Sequence, residues 1–250
     1  MERHNPRIRV LRINRPERRN ALTLALRSRI ADEVLDAGNS SEVRVVVITG
    51  GTDFAAGADV RELVDATPVE LMLRRVHRYG QAVADCPKPV IAAIEGRALG
   101  GGLELALCSD IIVAADDAKL GFPEIKLGIF PGGGGTQRLL QRLSLSTAYL
   151  MLYTGHLLTG REALDRGLVS AIAPSGCALQ MAMQIASTVA EMPPLALAQL
   201  KDLVGAAHDV PLSQGLKLER NAFQVLFASD DQKAGMRAFL NKTKPDFVGR

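Results

Sequence analysis

Two isolated glutamates, each next to a glycine-rich loop, are the residues of this sequence best suited to acid–base chemistry. Glu104 lies between leucines in an apolar run, two residues after the last of three glycines at 100–102. Glu124 also has apolar neighbours, and four glycines follow it at 132–135. A buried, unpaired carboxylate is costly, so each acid either forms a structural salt bridge or lies in a pocket where it exchanges protons. The repeated pattern favours the pocket.

The same loops provide backbone donors for an anion or a carbonyl oxygen. A helix that begins near Gly101 leaves the N–H of this residue without an intrahelical acceptor, and Glu104 follows one turn later. In the loop 54–59, Asp59 and Glu62 fit a capping box, which predicts a helix that begins beside Ala58. Two plainer interpretations stay open: a helix cap without a ligand at 54–59, and a simple turn at 132–135.

Motifs for several other kinds of chemistry are missing from the sequence. It has no G-x-G-x-x-G after a strand, no P-loop lysine, no Cys-x-x-Cys and no G-x-S-x-G, and its four histidines are widely separated. Dinucleotide binding, nucleotide hydrolysis and zinc sites are therefore disfavoured. Three distant cysteines predict reduced thiols in a cytoplasmic protein. No apolar run is long enough to predict a membrane span.

Composition and charge are those of an ordinary globular protein. The 250 residues are 47% hydrophobic, which is sufficient for a core without disulfides or metal. A net charge of +3 is too small to imply a nucleic-acid or membrane partner. Seven of the first twenty residues are arginines, which would fit a targeting segment or a basic stripe for RNA. Glu2, Glu17 and the apolar alternation at 8–13 favour a first β-strand instead.

The pattern of the elements that must position these residues predicts an α/β fold. Strand-like runs alternate with helical patterns and lie at 7–13, 43–49, 90–94, 111–115 and 169–172. The helix predicted at 21–37 has an apolar stripe formed by Leu22, Leu26, Ile30 and Val34. After Pro174 only helical patterns remain, at 178–191, 195–207, 212–226 and 230–240. We predict a core at 1–192 and a helical region at 193–250, too short for a core of its own.

The sequence resembles the enoyl-CoA hydratase/isomerase (crotonase) superfamily over nearly its whole length, and is most like a bacterial enoyl-CoA hydratase. The resemblance runs from N-R-P at 14–16 through the loops above to L-T-G-R-E-A at 158–163 and D-D-Q-K-A-G-M at 230–236. Its most specific segment is 123–139. It implies a spiral of ββα repeats, a C-terminal helical region used for trimer packing, and a homo-oligomer that is a trimer or a hexamer of two trimers.

By this resemblance, the backbone N–H groups of Ala58 and Gly101 form an oxyanion hole for a thioester carbonyl, and Glu104 and Glu124 are the catalytic carboxylates. The residues implied to bind coenzyme A are Ala56, Ala58, Asp59, Val60, Arg61 and Gly101. Gly132 would support the water site. The substrate is an acyl-CoA thioester, and no separate cofactor, metal, nucleic acid or membrane partner is implied.

The expected reaction is addition of water to a 2-enoyl-CoA, which gives a 3-hydroxyacyl-CoA. We expect Glu104 to act as the base toward water and Glu124 to donate a proton to Cα. The alternatives are an isomerase, which typically works with one acid, an acyl-CoA-binding scaffold without activity, and an RNA-binding protein. A specialised hydratase also stays open: the segment 244–250 is similar to dehydroadipyl-CoA hydratases, and 100–107 to methylglutaconyl-CoA hydratases.

Overall fold

The computed structural model describes residues 5–250 as two β-sheets with helices packed around them. The strands are β1 (Ile8–Arg12), β2 (Val45–Thr49), β3 (Val90–Ile94), β4 (Arg97–Leu99), β5 (Ile111–Ala115), β6 (Lys119–Gly121), β7 (Leu157–Thr159) and β8 (Ala171–Ala173). The helices are α1 (Leu24–Asn39), α2 (Pro68–Arg74), α3 (His77–Ala84), α4 (Gly101–Leu107), α5 (Gly135–Leu140), α6 (Leu145–Thr154), α7 (Gly160–Asp165), α8 (Ala178–Ala190), α9 (Pro194–Ala206), α10 (Leu212–Leu226) and α11 (Asp230–Asn241). Short 3-10 turns lie at Pro16–Arg18, Val60–Glu62 and Pro123–Leu127.

The larger sheet is entirely parallel, in the order β1-β2-β3-β5-β8. Both of its faces are covered, as expected for a parallel sheet. One face belongs to the main core, to which Val46, Ile48 and Ile94 contribute. The opposite face packs against α8, which presents a buried alanine every fourth residue, at 178, 182, 186 and 190. Small side chains at this spacing allow the helix to approach the sheet closely.

The smaller sheet completes a spiral. Strand β4 pairs in parallel with β6, which pairs antiparallel with β7. One repeat of the spiral consists of β3 in the large sheet, β4 in the small sheet and the helix α4. Strands β5 and β6 repeat the step from the large sheet to the small one. The predicted α/β spiral of ββα units is confirmed. The three strands of the small sheet were not predicted, because alternation over three residues is too short to detect.

The sequence placed the remaining elements well, with one clear error. The strands at 90–94 and 111–115 have their predicted bounds, and the four C-terminal helices begin and end within one residue of them. The helix predicted to begin at Asp59 is wrong, because the chain forms only the 3-10 turn Val60–Glu62. The Glu62 carboxylate does not close a capping box; it accepts from the N–H of Leu24 at 2.9 Å. The next helix, α2, has its own capping box of Thr67 and Glu70.

The C-terminal helices pack loosely within one chain. Neither α9 nor α10 has a buried residue, and α11 has two, Asp231 and Ala238. The Asp231 carboxylate accepts from the N–H groups of Val248 and Gly249, which ties the chain end to α11. The predicted boundary between residues 192 and 193 falls between α8 and α9, and the division into two units stays a prediction. No helix within residues 5–250 has the length and apolar character needed to cross a bilayer.

One buried asparagine joins the loops that lead toward the glycine-rich segments. Asn20 is 1% exposed and has the left-handed φ of 57°. Its Nδ2 donates to the carbonyl oxygens of Gly50 and Asp53 at 2.7 and 2.6 Å, and its Oδ1 accepts from the N–H of Arg15 at 2.7 Å. Asparagine tolerates this backbone conformation better than most residues. The side chain therefore connects the start of the chain to the loop that precedes Ala58.

We expect Asn20→Ala to lower the free energy of unfolding by about 2–4 kcal/mol. The change leaves buried backbone groups without their hydrogen-bond partners, and alanine tolerates the left-handed conformation less well than asparagine does. Chemical denaturation measures the loss. Asn39→Ala, at the exposed end of α1, is the control and should change the stability by less than about 0.5 kcal/mol. Equal stability of the two variants would contradict the structural role of Asn20.

Candidate active site

The two backbone amides predicted to act together lie side by side. A β-carbon added at Gly101 would be 3.4 Å from the nitrogen of Ala58. Gly101 is the first residue of α4, so its N–H has no intrahelical acceptor. Within residues 5–250 neither this N–H nor that of Ala58 donates to a protein acceptor. Two free donors therefore face one small volume, the arrangement that stabilises a developing oxyanion.

Strand pairing brings these amides together. Ala55 bridges to Ala98 of β4, with the N–H of Ala55 donating to Arg97 and the N–H of Leu99 donating to Ala55. Leu22 forms a parallel β-bridge with Ala58. The N–H of Leu22 donates to the carbonyl oxygen of Gly57, and the carbonyl oxygen of Leu22 accepts from the N–H of Asp59. The loop 55–58 is thus held between the start of α1 and the strand that leads into α4.

Glycine is required at two points of this arrangement. Gly57, immediately before Ala58, has a φ of 111°, and Gly100, immediately before Gly101, has a φ of 49°. Residues with a β-carbon rarely adopt these conformations. The turns at both glycines orient the N–H groups of the residues that follow them. The glycines of these loops are therefore needed for the backbone conformation as well as for close approach of a ligand to the backbone.

Glu104 lies one turn into α4 and is 6% exposed. Its Oε1 accepts from the N–H groups of Gly133 and Gly135 at 2.6 and 3.0 Å. The salt bridge considered from the sequence does not occur: no cation within the described residues lies within 4.0 Å of this carboxylate. Peptide donors stabilise the ionised form instead. The glycine run is therefore a rigid support for Glu104 rather than a simple turn.

Glu124 has a contrasting environment. It lies in the 3-10 turn Pro123–Leu127, with its carboxyl group against Gly100. Burial, and after it the charge of Glu104, raises the pKa of Glu124 to about 7. Its Oε2 is buried and has no hydrogen-bond partner among the described residues. The two acids thus have contrasting environments: Glu104 accepts hydrogen bonds from two peptide N–H groups, while Glu124 holds its proton to a higher pH than an ordinary glutamate.

Both acids and both amides line one cavity of about 590 Å³. This volume is within the range of small-molecule sites. Apolar side chains supply much of the wall, among them Leu63, Leu71, Met72, Ile129 and Phe130. Gly132 also lines the cavity, next to the glycine N–H groups that hold Glu104. The arrangement suits an apolar chain whose carbonyl oxygen lies at Ala58 and Gly101.

The segment predicted to bind coenzyme A lies at the edge of this cavity. Ala58 and Asp59 line it, while Ala56 is partly buried and Val60 and Arg61 are exposed. Arg61 donates to both carboxylate oxygens of Asp59 at 2.9 and 2.7 Å, and Arg15 donates to Asp59 at 2.9 Å. The bonds from Arg61 hold the pKa of Asp59 well below its usual range. Arg61 is therefore already paired, although most of its side chain stays exposed.

Sequence reasoning named the glycine run 132–135 as a source of backbone donors but did not assign Gly133 and Gly135 to Glu104, which they hold. It missed Arg27 of α1, which lines the cavity beside Glu104. Arg27 carries a detectable signal, because it is in helical register with the buried residues Ile30, Ala31 and Val34. A charged residue on the buried face of a helix is unusual. No cluster of three metal-ligating side chains occurs within the described part of the chain.

The environment of Glu124 predicts a pH-dependent cost to stability. The folded protein holds a proton on Glu124 up to about pH 7, whereas the ordinary value is 4.5. Between pH 4.5 and about pH 7 the folded state therefore binds more protons than the unfolded state. The free energy of unfolding consequently falls as the pH rises through this window. Glu124→Gln should raise the melting temperature more at pH 8 than at pH 5, by about 2–4 °C for each kcal/mol gained. The exposed Glu42→Gln is the control, and an equal effect at both pH values would contradict the burial of Glu124.

Known proteins resemble this chain over nearly its whole length. The family described as enoyl-CoA hydratase/isomerase matches residues 3–250. The chain is 41% identical to a 2,3-dehydroadipyl-CoA hydratase of Escherichia coli K12 over 98% of this chain and 96% of that protein. It is 39% identical to a probable mitochondrial enoyl-CoA hydratase of Dictyostelium discoideum, over 96% and 87%. A crystal structure of enoyl-CoA hydratase from Bacillus anthracis superimposes with a TM-score of 0.94 at 33% identity, covering 100% of this chain and 98% of that one. The chain has the crotonase fold and belongs to the enoyl-CoA hydratase/isomerase family.

Proposed function

We propose that the protein is an enoyl-CoA hydratase, a hydro-lyase that adds water across the 2,3 double bond of a 2-enoyl-CoA and forms a 3-hydroxyacyl-CoA. One observation carries this proposal: Glu104 and Glu124, in contrasting environments, share a cavity with two free backbone N–H groups. Hydration needs a base for water, an acid for Cα and a site for negative charge, and the cavity has a candidate for each. The names of the relatives support the same activity.

The amides of Ala58 and Gly101 would bind the thioester oxygen. As water attacks C3, the electron pair of the double bond moves toward the carbonyl, and negative charge develops on this oxygen. Hydrogen bonds from fixed donors then strengthen in the transition state more than in the ground state, which lowers the barrier. Both donors belong to a rigid backbone, so little reorganisation is needed during the reaction.

The two carboxylates would move the protons. Glu104, stabilised as an anion by two peptide N–H groups, takes a proton from water as the new C3–O bond forms. Glu124, whose pKa is raised to about 7, keeps a proton to donate to C2. The cycle leaves Glu104 protonated and Glu124 ionised, and proton exchange with solvent restores both. The division of roles follows the difference between their environments.

Coenzyme A would lie along the segment from Ala56 to Arg61, with its thioester end at Ala58 and Gly101. The exposed side of Arg61 would offer a guanidinium to a phosphate group at the outer edge of the cavity. Coenzyme A is then part of the substrate, and we propose no separate cofactor or metal.

Specific observations bear on the alternative functions. An isomerase typically works with one acid, and the second acid in this cavity favours hydration. For RNA binding, three of the six described arginines of the N-terminal stripe, Arg7, Arg9 and Arg15, pair with acidic residues, and the net charge of the chain is only +3. We therefore propose neither a nucleic-acid nor a membrane partner. A cytoplasmic location stays a prediction.

We expect Glu104→Gln and Glu124→Gln each to lower kcat for crotonyl-CoA hydration by at least about 10²-fold, because general acid–base catalysis typically contributes this much. Loss of the conjugated enoyl absorbance measures the rate, and affinity for butyryl-CoA should change little. Glu42→Gln is the matched control on the exposed surface. Turnover close to normal in either cavity variant would refute its assigned role. If Glu124 is the acid, kcat/KM of the unmodified enzyme should fall above about pH 7.

We also propose that the chain forms a trimer, or a hexamer of two trimers, through its C-terminal helices. These helices expose many apolar side chains in the single chain, among them Leu200, Val204, Leu212, Phe223 and Phe239. An exposed apolar surface of this kind is typical of subunit contacts. Phe239 is 84% exposed on α11, so a single substitution there tests the surface without disturbing the core.

We expect Phe239→Lys to shift the mass in solution from a trimer or hexamer toward smaller species, because it places a charge in the proposed contact. Light scattering after gel filtration measures the mass, and circular dichroism checks the fold. The control is Leu35→Lys, which changes a similarly apolar, 52% exposed residue on α1. A monomeric unmodified protein, or an oligomer that resists the Phe239 substitution, would contradict this surface.

A further inference from the structure

Arg27 brings a guanidinium to the wall of the cavity that is proposed to hold the substrate. It is partly buried on α1 and lines both the large cavity and a small adjoining pocket with Tyr79, Gly80 and Leu105. Its Nη2 lies against Gly101, because a β-carbon at that glycine would overlap it. The charge is thus next to the proposed oxyanion site and beside the small adjoining pocket.

The guanidinium has no protein partner. Within residues 5–250, Arg27 forms no side-chain hydrogen bond and no ion pair. Burial lowers the pKa of Arg27, and the charge of Glu104 offsets this only in part. Leaving a cation desolvated and unpaired is costly. A residue of this kind on the wall of a binding cavity indicates that the missing anion arrives with the ligand.

The nearby charges are already engaged. Asp59 is bound by two arginines, Glu62 accepts from the N–H of Leu24, and Glu104 accepts from two glycine N–H groups. Among the other cations of the cavity wall, Arg74 donates to the carbonyl oxygen of Glu62 at 2.6 Å, while Arg75 and His77 are exposed. Among the cavity cations of the described residues, Arg27 therefore combines partial burial with a guanidinium that makes no hydrogen bond.

We propose that Arg27 binds a carboxylate carried by the acyl group, so that the preferred substrates are 2-enoyl-CoA thioesters of dicarboxylic acids. The inference rests on the proposed acyl-CoA site and names its substrate class. A guanidinium and a carboxylate form two parallel hydrogen bonds, which fixes the orientation of the chain as well as its charge. A neutral acyl chain would leave Arg27 unpaired in the complex. Arg27 is then a specificity-determining residue, and it does not take part in proton transfer.

Saturated thioesters test the proposal without any reaction. Isothermal titration compares adipyl-CoA with hexanoyl-CoA, which have the same number of acyl carbons and differ in the terminal carboxylate. We expect the unmodified protein to bind adipyl-CoA at least about 10-fold more tightly, the amount expected for hydrogen bonds between charged groups. Arg27→Met should abolish this preference, and Arg27→Lys should restore part of it. Arg29→Met, an exposed α1 residue paired with Glu33, is the matched control and should keep the preference.

Three results would overturn the proposal. The first is tighter binding of hexanoyl-CoA by the unmodified protein, which requires no variant to fold. The second is the same adipyl-to-hexanoyl ratio in Arg27→Met as in the unmodified protein. The third is equal binding of adipyl-CoA and hexanoyl-CoA by the unmodified protein, since Arg27 would then not distinguish a terminal carboxylate. Because neither ligand is hydrated, a failure of the hydratase proposal would appear separately, as absent turnover of every enoyl-CoA with the binding preference intact.

Discussion

The pairing of a three-residue strand on both of its sides organises the candidate site. Strand β4 bonds to Ala55 along one edge and to β6 along the other. The first contact brings the loop that contains Ala58 next to the start of α4. The second contact brings the turn that contains Glu124 next to Gly100. The N–H of Gly100 donates to the carbonyl oxygen of Gly121 at 2.9 Å. The three loops of the cavity meet because their backbones share these few hydrogen bonds.

A buried carboxylate held only by peptide groups is the second constraint. Glu104 has no counter-ion within the described residues, so Gly133 and Gly135 must present their N–H groups correctly for its charge to be stable. A β-carbon at Gly133 would be 2.6 Å from Oε2 of this glutamate. Close packing and hydrogen bonding therefore depend on the same glycine run. Glu124, with an unpartnered oxygen, experiences the opposite effect, and burial favours its neutral form.

The large sheet anchors the loops of the candidate site, because β2 precedes the loop that contains Ala58 and β3 precedes β4. Its two faces pack separately, one against the main core and the other against the alanines of α8. Such a core tolerates few changes in volume, which suits loops whose backbone donors must hold their positions within fractions of an ångström. The C-terminal helices add little to this core within one chain, consistent with a role between subunits.

The sequence by itself determined the elements whose signal is local. Long apolar strands such as 90–94 and 111–115, helices with regular periodicity, and acids isolated among apolar neighbours can all be recognised from neighbouring residues. Family resemblance then indicated the amides and carboxylates that the fold brings to one cavity. The capping box assigned to Asp59 and Glu62 failed because the Glu62 carboxylate bonds to the N–H of Leu24, which is 38 residues away, so that Asp59 alone caps a short 3-10 turn.

Only the tertiary structure decided what depends on distant parts of the chain. Glu104 and its donor Gly133 are separated by 29 residues, and Asp59 and Arg15 by 44. The three-residue strands of the small sheet, the closeness of Ala58 to Gly101 and the unpaired charge of Arg27 likewise follow from packing in space. Hydrogen bonds and desolvation act over a few ångströms regardless of sequence separation, so the folded chain alone sets which groups are paired and which remain free for a ligand.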